Sequence, residues 1–152
     1  MFVVELKAEA ATAALTRAAA LLEDMTPVMK AIGELLVRST KQRFLKGQAP
    51  DGSAWKAKSP VTLARSRDSR PLFGPNNRLN REIFPESGSD FVEVGSPQPY
   101  AAMMQFGGTK ARFPHLWGNI PARPFLGISQ EDEDNILAEI AEALSTAFGQ
   151  QV

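Results

Sequence analysis

Residues Phe91–Ser129, FVEVGSPQPYAAMMQFGGTKARFPHLWGNIPARPFLGIS, decide how this chain is read. The stretch opens on an alternation, Phe91-Val92-Glu93-Val94, that predicts a half-buried strand. Gly95 and the prolines at 97 and 99 end it. Tyr100 to Phe106 is a short apolar segment, helical or irregular, closed by Gly107-Gly108. Lys110 to Asn119 reads as a long loop holding His115 and Trp117. Arg123 to Ile128, within the motif Pro121-Ala122-Arg123-Pro124-Phe125-Leu126-Gly127, reads as another strand. Aromatic, Gly and Pro residues are dense here, and groups that carry out reactions are scarce. Such a composition suits shape and contact over catalysis.

Upstream, Phe2 to Leu6 has the β-branched and aromatic content of a short strand. Residues 8–24 are alanine-rich and predict a helix. Thr26-Pro27 is a helix start, with threonine as cap and proline at the first helical position. The helix from Pro27 to Lys46 carries Met29, Ile32 and Leu36 on one stripe, and Gly47 is its stop. Arg38, Lys41, Arg43 and Lys46 crowd its last turns, where cations complement the dipole or would meet a phosphate. Pro50-Asp51-Gly52 makes a turn, with Trp55 packing back behind it. Ser59-Pro60 opens a short helix from Val61 to Arg67. Leu79 to Phe84 reads as a strand joined to Phe91–Val94 by a turn at Ser87-Gly88-Ser89-Asp90.

Downstream, Ser129 caps a last helix with Asp132 and Glu133 in its first turn. Ile136, Ile140, Leu144 and Phe148 form a stripe that should dock on the sheet or on the Pro27–Lys46 helix. Together these readings give an α+β fold. A small, mostly antiparallel sheet packs with a long N-terminal helical region and a C-terminal helix, in a single domain over residues 1–152.

The composition closes off whole classes of function. The chain has 152 residues, 17 Lys/Arg against 17 Asp/Glu, no cysteine and one histidine. Zero net charge argues against a global pull toward nucleic acid. Without cysteine there is no disulfide, thiolate metal site or cysteine nucleophile. One histidine, His115, rules out a histidine metal cluster and leaves one position on which a catalytic triad would have to be built. Gly107-Gly108 lacks the spacing and the lysine of a phosphate-binding loop. Catalytic, cofactor-binding and metal-binding residues are therefore not assigned, and no cofactor is expected. The first residues form no signal peptide, and no apolar run approaches the ~20 residues of a membrane span, so cytosolic synthesis without membrane partners is expected. Charge is nonetheless polarised. Residues 49–70 carry five Lys/Arg and two Asp/Glu, whereas residues 130–152 carry none and six. The two regions would complement each other between subunits or simply be solvated.

Four motifs occur in order: Ala49-Pro50-Asp51-Gly52-Ser53-Ala54-Trp55; Val92-Glu93-Val94-Gly95-Ser96 with Pro99-Tyr100-Ala101-Ala102; Gln105-Phe106-Gly107-Gly108; and Ile120-Pro121-Ala122-Arg123-Pro124-Phe125-Leu126-Gly127. In this order they resemble the phage virion morphogenesis family, the tail-completion proteins of Mu-like and P2-like phages and prophages. The resemblance covers nearly the whole chain. It implies structural work late in virion assembly, at the head-proximal end of the tail or in the neck, enabling head–tail joining. It further implies a homo-oligomeric ring matched to tail symmetry, expected as a hexamer. The implied partners are the tail tube or terminator and the head connector. DNA would be met only by passage through the assembled channel, and the place of action would be the virion, after assembly in the host cytoplasm. The resemblance implies no catalytic residue.

Proline- and glycine-stiffened loops lose little entropy on contact, so aromatics on them make efficient interface anchors. Phe106, Phe113 and Trp117 are the candidate subunit-interface aromatics, while Tyr100 and Phe125 are expected in the core. Arg123 is the fourth interface candidate, in an ion pair between or within subunits. Two rival readings are a nucleic-acid-binding module using the basic 38–70 region and a small hydrolase using His115.

Overall fold

The structure, a computed structural model, describes residues 8–149. The strand expected at Phe2–Leu6 lies outside them. Six helices and one hairpin follow in order: α1 (Glu9–Glu23), α2 (Thr26–Lys46), α3 (Pro60–Arg65), α4 (Arg78–Arg81), β1 (Phe84–Ser87), β2 (Val92–Gly95), α5 (Ala101–Phe106) and α6 (Gln130–Ala147).

Helix α2 is the axis on which the hairpin, α4 and α6 pack. Its start differs in detail from the expected threonine cap. Thr26 is already helical, and its amide and hydroxyl donate to Asp24 Oδ1 at 3.0 and 2.5 Å. Its end is as expected, with Gly47 left-handed at φ 66° and its N–H on Arg43 O. Of its expected stripe Ile32 is buried and Met29 and Leu36 are half-buried, with Val28 buried beside them. Gly33 faces the hairpin, where an added Cβ would lie 3.0 Å from Pro85 and 3.1 Å from Val92. The missing side chain is what lets helix and hairpin approach.

β1 and β2 pair antiparallel in the register Phe84↔Gly95 to Ser87↔Val92. The strand expected at Leu79–Phe84 is instead the helical turn α4 followed by β1. Leu79 and Ile83 are both 2 % exposed while Arg81 between them is exposed, a burial period of four and not the two of a strand. The strand expected at Arg123–Ile128 does not form either. Its amides find other acceptors: Arg123 N–H donates to Met104 O, and Phe125 and Leu126 N–H both donate to Gln105 Oε1 at 3.0 Å. Gln105 Nε2 returns a bond to Leu126 O. One side-chain amide thus replaces a strand partner.

Phe44, fully buried, centres the core. Its ring meets those of Trp55, Phe73 and Phe125 edge-on, with centroids 5.5, 6.0 and 5.5 Å away. Trp55 anchors as expected and donates its indole N–H to Pro124 O. Helix α3 is capped by Ser59 as expected but ends at Arg65. Helix α6 opens with a complete capping box between Ser129 and Asp132, and its stripe docks on α2 and α1, not on the sheet.

Candidate subunit interface

The loop after α5 is held at its neck and presents aromatics beyond it. Gly107 sits at φ 68°, where an added Cβ would fall 2.6 Å from Ala122 N and 2.7 Å from Ile120 O. Glycine is required there by both conformation and contact. Gly108 and Ile120 exchange a pair of backbone bonds at 2.9 and 2.7 Å, closing residues 109–119 into a loop. Asn119 Oδ1 accepts from Lys110 N–H inside the neck. Phe113 is half-buried and lies against Gly108, with Arg112 over its ring and His115 edge-on to it. Trp117 is 102 % exposed and Phe106 77 %. Two large aromatics thus stand in solvent, Trp117 on the pinned loop and Phe106 at the end of α5.

The neck residues Asn119, Ile120 and Pro121 stand between two clefts. One, of about 650 Å³, holds Phe106 and Phe113 with Lys56 and Arg112 on its rim. The other, of about 570 Å³, is lined by residues of the 58–62, 72–79 and 98–104 segments and by Arg123. The structure therefore gathers Phe106, Phe113 and Arg123 around one wall, with Trp117 on the loop that this wall closes.

Arg123 behaves differently from expectation. It is 9 % exposed, and its guanidinium donates to Lys56 O at 2.7 Å and Ala57 O at 2.8 Å. No carboxylate pairs with it among the described residues, and burial lowers its pKa. The expected ion pair within the chain is thus absent there because carbonyls of the 56–57 segment occupy the guanidinium. The buried pair is Arg43 with Asp132, joining α2 to α6. The signal for it was present as a cation late in one helix and a capping aspartate in another, but nothing in the sequence links the two. Tyr100, expected in the core, is 43 % exposed, whereas Phe125 is fully buried as expected.

Among the described residues no group of three or more His, Cys, Asp or Glu is placed to hold a metal, and no helix is long and apolar enough to cross a membrane. The arrangement offers shape, apolar area and positive charge.

A model of the phage virion morphogenesis family matches residues 6–145. The putative capsid assembly protein G of Escherichia phage Mu is 34 % identical over 128 residues, 81 % of each chain. The Mu-like prophage FluMu G protein 2 of Haemophilus influenzae is 34 % identical over 135 residues, 89 % of each chain. No solved structure matches.

Proposed function

The chain belongs to the phage virion morphogenesis family, a family of virion assembly proteins, and on that premise we propose that it completes the head-proximal end of the tail and makes it competent to join a head. It does so as a homo-oligomeric ring, without catalysis, and stays in the virion as part of the tail or neck. The observation that carries this reading is a fully exposed Trp117 on the pinned loop, together with an exposed Phe106 at the end of α5. A ring subunit needs apolar surface that neighbours cover. The partners of the finished ring are the tail tube or terminator below and the head connector above.

The Mu relative is named as a putative capsid assembly protein, which favours a second reading on the head side. One experiment separates the two. Particles made without this protein are imaged by negative stain, and purified protein is then added back. Full heads, with separate tails unfinished at one end that join on addition, support the tail reading. Malformed heads with normal tails overturn it. Trp117→Ser with Phe106→Ser should leave the melting temperature unchanged and abolish joining. If the double variant joins heads to tails at the normal rate, the loop is not the contact.

A further inference from the structure

We propose that the cleft of about 570 Å³ between α3, α4 and α5 receives the outer face of helix α6 from a second copy of this chain. The inference rests on the ring reading above and names its two contacting surfaces.

The cleft is built for an anion with an apolar flank. Arg123 lies in its wall, and only two of its guanidinium nitrogens, Nε and Nη2, are bonded, both to carbonyls. Nη1 has no partner among the described residues, and the charge has no counter-ion there. Nη1 is open to solvent on the cleft side and is free to meet a carboxylate. Arg78, largely exposed on the same cleft, meets only Glu82, at 3.8 Å. Lys58 adds a third positive charge, its ammonium tied to Ser66 Oγ and to the carbonyls of Asp68 and Phe73. No carboxylate lines the cleft, and Leu72, Tyr100 and Met104 supply apolar wall.

Helix α6 carries the complement. It has no basic residue, and Glu133, Asp134 and Leu137 share one face at spacings of three and four. All three are exposed, Leu137 by 59 %, and Asp134 is engaged only by Gln130 of the same helix at 3.1 Å. Ile136, Ile140 and Leu144, half-buried, form the adjoining stripe, and Leu137 stands at its solvent edge. An apolar anchor flanked by two carboxylates matches a cationic cleft with apolar walls. Helix α6 does not line the cleft. The two surfaces are therefore different, which gives the head-to-tail contact that rings require.

Sedimentation velocity over a range of concentrations tests this on the full chain, with isolated tails added in a parallel set. The variants are Arg78→Glu, Asp134→Lys, their combination and Leu137→Ser, all at exposed positions and checked for an unchanged melting temperature. Each single change should weaken self-association by roughly tenfold or more, and the combined charge swap should recover most of the loss. Association that ignores all four variants overturns the cleft–α6 contact while leaving the ring intact. A wild-type chain that stays monomeric alone and on tails removes ring and contact together. Salt-sensitive retention of duplex DNA that Arg78→Glu abolishes, with association unchanged, reassigns the cleft to phosphate.

Discussion

At Asp132 one carboxylate closes the capping box of α6 and pairs with Arg43 of α2. Its oxygens also accept from Ser129 N–H, and the Ser129 hydroxyl accepts from Asp132 N–H in return. Burial pushes its pKa up, but hydrogen bonds from Ser39 and Ser129 and the Arg43 charge outweigh burial and hold it below the ordinary 3.8. Arg43 is lowered by its own burial, with Asp132 opposing, yet it remains a cation at any working pH. The pair is buried on both sides, so breaking it strands a charge. Asp132→Asn should cost about 3 kcal/mol, seen as a fall in Tm on the order of 6–12 °C. The sign of the pH effect follows from the depressed carboxylate. Its stabilisation is complete above 3.8 and fades as pH falls through the lower folded value. The Tm gap between wild type and variant should therefore be widest at neutral pH and close in acid. A gap that does not change with pH would mean the carboxylate charge is not what matters.

Among the elements, three helix caps and the hairpin strand expected at Phe91–Val94 were legible, whereas the strands expected at Leu79–Phe84 and Arg123–Ile128 were not. Gly47, Ser59 and Ser129 act where local chemistry places them, because caps are satisfied within a few residues. The strand expected at Arg123–Ile128 failed because Gln105, about twenty residues away, takes its amides. The neck of the 109–119 loop is a tertiary feature of the same kind. Gly107→Ala should destabilise by about 2 kcal/mol or more, since a Cβ at positive φ meets backbone that cannot yield. Gly118→Ala, with open space around its Cβ, should change Tm by no more than a degree or two. Equal melting curves for the two variants would show that the neck is not under this constraint.

For the molecule as a whole, charge sums to zero and is divided between a basic middle and an acidic last helix. A nucleic-acid module built on the 38–70 region would show steep salt dependence. Here Arg43 is paired with Asp132 and Arg70 with Asp68, and the chain carries no net charge. Filter binding of duplex DNA should therefore be weak at physiological salt, and tight retention there would revive that reading. His115→Ala should leave head–tail joining intact, because the imidazole packs edge-on to Phe113 in an exposed loop. The sequence by itself determined the α+β class, the helix caps and the family, since these rest on local chemistry and on motif order along the chain. Only the tertiary structure decided that Arg123 is engaged by carbonyls, that Arg43 holds Asp132, and that Trp117 stands fully in water. Burial and pairing depend on which distant segments meet, and no local pattern of residues encodes that.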